Sequence, residues 1–284
     1  MPSLSTSSAS ERECIWVLQG GALGAYQAGV FESLAKGYCA PTGGPGFFKP
    51  RFPPAPFQPR GTLEAISYYD ASALQSTLER LVDFARISAG PVRLSVGAVN
   101  VRTGNFAYFD SSRQRLDARH IMASGALPPG FAPVEIDGEH YWDGGLVSNT
   151  PLQYVLDQPG KQRRVVFQVD LFAARGALPA TLNEVTEREK DIRFSSRTRM
   201  NTTVEMDRQV IAQAAKRLLA KLPPELQNDP DVHALSQLRG ESAVEVVHLI
   251  YRSKHYESQS KDYEFSRLSM NEHWDAGRAD MAHT

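Results

Sequence analysis

Cys14-Ile15-Trp16-Val17-Leu18-Gln19-Gly20-Gly21-Ala22-Leu23-Gly24 sets how the fold begins. The five-residue apolar run suits a strand buried on both faces of a parallel sheet. Beyond the glycines, Ala25, Ala28, Phe31, Leu34 and Ala35 recur at helical spacing, and Gly29 permits close packing. Strand, glycine turn and helix together predict an α/β core. Amides at such a turn lack partners within the helix and point at whatever lies above them. They suit a phosphate, the oxyanion of an acyl intermediate, or simply a tight connection. No Gly-Lys-Ser/Thr follows, so this is not a P-loop, and it is not a Gly-x-Gly-x-x-Gly fingerprint.

The composition around this stretch narrows the function classes. The chain has 284 residues, with 31 Lys+Arg against 32 Asp+Glu, and 42% are hydrophobic. That balance supports a sizeable core and argues against a basic nucleic-acid binder. Cys14 and Cys39 are the only cysteines, too few for a disulfide scaffold or a cysteine zinc site. No apolar run reaches the ~20 residues of a membrane span. Residues 1–12 are serine-rich and read as a disordered tail without an apolar leader. The expected compartment is the cytoplasm.

Seven of the 18 prolines lie between Pro41 and Pro59, interleaved with Phe47, Phe48, Phe52 and Phe57. Proline at that density excludes a helix or a central strand. Two readings stay open: a loop pinned to the surface by its phenylalanines, or a lid that touches lipid. Further on, the pattern predicts an amphipathic helix over 74–84 and a hairpin of strands 93–101 and 105–109 around Arg102-Thr103-Gly104. A short helix is expected over 118–124, another from Pro151 to Val155, and a strand over 164–171. Val210/Ile211, Ala214/Ala215, Leu218/Leu219 and Leu222 form an apolar stripe on a long charged helix. Residues 243–251 read as a strand returning to the main sheet.

Asp143-Gly144-Gly145 is the second candidate for chemistry. An aspartate before paired glycines can present a carboxylate held by backbone donors, or form an ordinary Asx-turn. Taken with the first glycine turn, it resembles the patatin-like phospholipases. Leu18-Gln19-Gly20-Gly21-Ala22-Leu23-Gly24-Ala25-Tyr26-Gln27-Ala28-Gly29 is similar to that family's oxyanion loop. Trp142-Asp143-Gly144-Gly145-Leu146-Val147-Ser148-Asn149-Thr150-Pro151 is similar to its aspartate motif, and Met122-Ala123-Ser124-Gly125-Ala126-Leu127-Pro128 to the segment between them.

The resemblance implies a three-layer α/β core with a mainly parallel sheet over 13–178, and a mainly helical C-terminal extension over 179–284. It implies an acyl hydrolase of lipid esters working through a Ser–Asp dyad. Asp143 would be the dyad acid, Gly20, Gly21, Ala22 and Gly24 the oxyanion hole, and Gly144 and Gly145 its support. No metal or cofactor is implied. The partner would be a lipid or ester, with peripheral membrane contact and no nucleic acid.

The nucleophile is the exception. The family's Gly-x-Ser-x-Gly elbow occurs nowhere in this sequence, and Gln19 stands where the first of three loop glycines would be. The gap falls near 37–42, where the chain passes at once into the proline stretch. A strand and crossover helix need about 30 residues, so the core is expected to lack the elbow strand. Three imitations lack the full pattern: Ser95 in Arg93-Leu94-Ser95-Val96-Gly97, Ser88 before Gly90, and Cys39 before Pro41. Three functions follow: a hydrolase with impaired or lost activity, a non-catalytic lipid- or partner-binding remnant, and a phosphate reader using Gly20–Gly24. The last lacks a lysine or acidic partner at motif spacing.

Overall fold

The computed structural model describes residues 13–18, 46–148, 151–157, 163–170, 172, 174–226, 228–236 and 243–250. The expected tail, first helix, gap near 37–42 and residues beyond 251 lie outside these.

Two sheets carry the fold. Strand β1 (Glu13–Leu18) pairs in parallel with β8 (Arg163–Asp170), and β8 pairs in parallel with β9 (Ala243–Ile250), in the order β1-β8-β9. The strand expected near the C-terminus therefore does return to the first sheet. Among the described strands β1 is the outermost on its side of this sheet. Short strands β2 (Lys49–Pro50) and β3 (Tyr69–Asp70) form a separate antiparallel ribbon. The larger sheet contains β4 (Ser95–Asn100), β5 (Phe106–Asp110), β6 (Val134–Ile136) and β7 (Glu139–Asp143), ordered β5-β4-β7-β6 and antiparallel throughout.

The α/β class is as expected. Parallel pairing between the described strands is confined to the three-stranded sheet; in the larger one the β4–β5 and β6–β7 connections are tight hairpins, which pair antiparallel. Gly104 (φ 70°) closes the β4–β5 hairpin. There the Asn100 side chain accepts from the amides of Arg102 and Thr103 at 3.0 and 2.9 Å. Asp137 (φ 52°) and Gly138 (φ 80°) form the two-residue β6–β7 turn that this dipeptide favours.

The helices are α1 (Ser72–Leu81), α2 (Phe84–Ala89), α3 (Ala118–Ser124), α4 (Leu152–Leu156), α5 (Leu182–Leu219) and α6 (Pro230–Ser236). α3 begins where Asp117 accepts from Arg119 N and the His120 ring reaches back to the Asp117 amide. Buried His120 is thus a cap and a core residue. α3 then packs on the larger sheet. α4 joins the two sheets: Leu152 lies on Val166 of β8, while Tyr154 stacks on Tyr108 of β5 at 3.8 Å.

α5 starts at Thr181, whose hydroxyl accepts from Glu184 N, while the Glu184 carboxylate accepts from Ala180 N just before the cap. Its inner face is polar: Asp191, Ser195, Thr198 and Glu205 are buried, and Thr202 exchanges hydrogen bonds with Gln168 at 3.1–3.2 Å. The apolar stripe from Val210 points largely outward, with Ile211 and Leu218 exposed. No helix among the described residues is long and apolar enough to cross a membrane.

Candidate active site

Asp143 ends β7, and its partner across the pair is Ala98 of β4. Residues directly opposite share a face, and successive residues along a strand alternate between faces. Asp143 therefore emerges on the face carrying Ala98, Phe109 and Ile136, which form one apolar core with Leu116 and Ala123. Its carboxyl group is 1% exposed. Oδ1 accepts from Gly145 N at 2.7 Å, so the side chain caps the 3₁₀ turn Gly144–Leu146. Oδ2 is buried with no hydrogen-bond partner among the described residues. Burial pushes the carboxyl up to about 7, against the smaller opposing pull of the Gly145 amide.

Gly144 is required by packing. A Cβ there would lie 2.7 Å from the Gly97 carbonyl oxygen and 2.9 Å from its carbon. Backbone cannot swing aside as a side chain can. Gly144→Ala is expected to cost about 1–3 kcal/mol by overpacking, read as a lowered denaturant midpoint with unchanged slope. A stability equal to the parent's would show that β4 and β7 can separate at this point.

Ser95 stands apart from Asp143. It is three residues from Ala98 along β4, an odd step, so it emerges on the opposite face of the sheet. There its hydroxyl donates to Asp110 Oδ2 at 2.8 Å. Asp110 also accepts from Arg93 Nε, from the Ser112 amide and hydroxyl, and from the Tyr154 hydroxyl at 2.6 Å. Burial pulls the Asp110 carboxyl upward, but the Arg93, Tyr154 and Ser112 donors outweigh it and hold it far below the usual carboxylate range. So acidic a carboxylate is a poor acceptor for a serine proton. Ser95 is one arm of a fixed network. Ser88 donates to the Phe84 carbonyl within α2 at 3.1 Å. Gly20, Gly21, Ala22, Gly24 and Cys39 lie outside the described residues, so the meeting of the oxyanion loop with Asp143 remains an expectation from the resemblance.

A cavity of about 230 Å³ lies between the aromatic ribbon, α1 and the C-terminal end of α3. Phe47, Tyr69, Leu78, Ile121 and Phe131 line it, together with Ala126. The carbonyl of Ala126 accepts the Asp143 amide at 3.1 Å, so the strand end and the cavity share a wall. Two further carbonyls of that loop, Pro129 and Gly130, accept from Tyr68 and Tyr69 of the ribbon. Phe47 and Phe48 are buried against each other, Tyr69 and Phe131. Phe52 and Phe57 point into solvent. The proline stretch thus satisfies part of each reading: two of its phenylalanines pin it and two are free.

The cavity escapes a sequence reading because its walls come from four separate segments. The ribbon's aromatic density is the only local signal. A second feature is equally hidden: Asp170 and His248 at the C-terminal ends of β8 and β9, with Nε2 3.6 Å from Oδ2. Strand ends of this kind are where α/β sheets place ligands, but an isolated Asp and a distant His carry no motif.

Residues 45–156 match the family described as patatin-like phospholipase, and residues 192–284 match one described as patatin phospholipase. No curated protein matches the sequence. Among solved structures, VipD from Legionella pneumophila overlaps at 14% identity with a TM-score of 0.24, over 72% of this chain and 34% of that chain. This chain spans about a third of VipD, and so loose a superposition bears on neither fold nor function. The first sequence match runs from the aromatic ribbon through the Asp143 turn to the end of α4, and the second takes in most of α5 and β9. With the aspartate turn and the C-terminal region each matching a patatin family, the chain belongs to the patatin-like phospholipases.

Proposed function

We propose that this protein keeps the lipid-binding framework of a patatin-type acyl hydrolase, with its Ser–Asp route impaired or lost. The observation that carries the reading is Asp143 Oδ2, buried and unpartnered among the described residues. A dyad aspartate works as a base on a hydroxyl held against it. Here the carboxyl lies on the face of a packed apolar core, and no hydroxyl among the described residues reaches it. In this reading residues 13–178 are the catalytic-type core, 179–284 the extension, and the protein is cytoplasmic.

The non-catalytic alternative, a lipid-binding remnant, draws support from the cavity. Its lining is largely aliphatic and aromatic, with Arg51, Asp70 and Ser72 as the polar members. Such a surface suits an acyl chain with a polar head.

Hydrolysis of a p-nitrophenyl ester tests the loss of the Ser–Asp route. The purified chain is expected to turn over no faster than its Asp143→Ala variant, because oxyanion stabilisation alone sustains only about 10³–10⁴ over water. A rate clearly above the variant, abolished by a serine-directed fluorophosphonate, would overturn the proposal. Mass spectrometry of the adduct would then name the serine.

A further inference from the structure

We propose that the proline-rich ribbon of residues 49–68 is a docking surface for an anionic lipid bilayer, with Phe52 and Phe57 as its inserted aromatics. The proposal rests on the lipid reading above and adds where the bilayer meets the protein.

Phe52 is 94% exposed and Phe57 78%. Rings left so fully in water forgo most of the free energy that their burial would release. They are not on a loose loop. β2 pairs with β3, the Arg51 amide donates to Tyr68 O at 3.0 Å, and Arg51 Nε donates to Ser67 Oγ at 2.9 Å. The Gln58 side-chain amide donates to Pro53 O at 2.6 Å and closes the turn that carries both rings. Buried Phe47 and Phe48 anchor the base of the ribbon. A rigid frame therefore holds two large apolar groups outward.

Two features favour a bilayer over a protein as occupant. Pro50, Pro53, Pro54, Pro56 and Pro59 have no amide N–H, so this backbone brings few unpaired donors into a medium that cannot satisfy them. The charges are also one-sided. Lys49, Arg51 and Arg60 lie among the phenylalanines, and from Gly37 to Leu63 there is no Asp or Glu. Lys49 contacts Asp70 at 3.4 Å yet remains 73% exposed, and Glu64 is the one carboxylate between 49 and 68. Cations beside exposed aromatics match an anionic headgroup layer above acyl chains. The same ribbon supplies Phe47, Arg51 and Tyr69 to the cavity wall, so docking would bring that cavity to the lipid.

The test is sedimentation of the full chain with vesicles of phosphatidylcholine alone and of phosphatidylcholine with phosphatidylglycerol. The parent is expected to sediment with the anionic vesicles, and less so at high salt. The Phe52→Ser/Phe57→Ser variant is expected to lose roughly tenfold or more in partitioning, since two apolar contacts disappear. Arg60→Gln should weaken binding to the anionic vesicles only. Melting temperatures of both variants should match the parent, since the substituted side chains are exposed. Absence of parent binding to either vesicle, or equal binding by the phenylalanine variant, would overturn the proposal. So would a parent dimer that the variant converts to monomer without vesicle binding, which would make the patch a contact between copies. Dihexanoylphosphatidylcholine below its micellar concentration reports separately on the cavity. If it fails to raise the melting temperature while vesicles still bind, the cavity reading falls and the docking surface stands.

Discussion

Asp110→Ala is expected to cost roughly 3–5 kcal/mol, the range found when one partner of a buried charge network is removed. The carboxylate is 1% exposed and gathers Arg93, Ser95, Ser112 and Tyr154. The carboxylate is the desolvated member: Arg93 keeps 37% of its side chain exposed, and Ser95 and Ser112 reach the surface. Removing the acceptor leaves the Tyr154 hydroxyl and the Ser112 amide without their partner, and leaves the Arg93 charge half-covered beside them. The loss should extend beyond one sheet, because Tyr154 carries the link from β5 through α4 to β8. Ser95→Ala removes one donor only and should cost about 1 kcal/mol. Denaturant titration of the two variants checks both. A loss for Asp110→Ala as small as that for Ser95→Ala would mean that water replaces the carboxylate and that the network does not hold the sheets together.

The second large effect is a pH dependence of unusual sign. Burial raises the Asp143 carboxyl from 3.8 to about 7 in the folded chain. The folded state therefore holds this proton more tightly than the unfolded chain does. The resulting stability is complete below pH 3.8 and is lost as pH rises through 7. Each tenfold gain in proton affinity on folding is worth about 1.4 kcal/mol, so the loss is on the order of 4 kcal/mol. Asp110 acts in the opposite sense. Its depressed carboxyl contributes stability above its unfolded value, and that contribution fades as pH falls into the acid range. The parent should be most stable near pH 4–5 and weaken steadily towards pH 8. Asp143→Asn should remove the slope between pH 5 and 8. A parent slope that is flat or rising over this interval would show that a partner or water ionises the carboxyl.

These two aspartates also show why a motif is only part of a site. Asp143 is legible because it precedes two glycines, and the turn it caps follows from local chemistry. Asp110 has no motif, and its role emerges only when Arg93, Ser112 and Tyr154 are brought to it. Ser95 shows the limit from the other side. Its Ser-x-Gly context resembles an elbow, yet parity along β4 places it across the sheet from Asp143.

Elements set by neighbours in the chain can be read directly. The helix over 118–124 has its cap at Asp117, the β4–β5 hairpin has its glycine at 104, and strands at 14–18, 164–171 and 243–251 announce themselves as apolar runs. Strand β6 escapes such a reading, although Asp137-Gly138 is a strong hairpin signal, because three residues are too few to show alternation. What the tertiary structure alone decided is which side of each element is covered. Phe47 and Phe48 are buried and Phe52 and Phe57 are not, within one proline stretch. α5 turns Asp191, Ser195 and Thr198 inward and Ile211 outward, against its apolar pattern. Hydrogen bonds to partners such as Gln168 help to offset the burial of polar groups there. Helix and turn formation depend on residues a few positions away. Burial, a raised carboxyl pKa and a cavity depend on segments tens of residues distant, whose meeting no local pattern records.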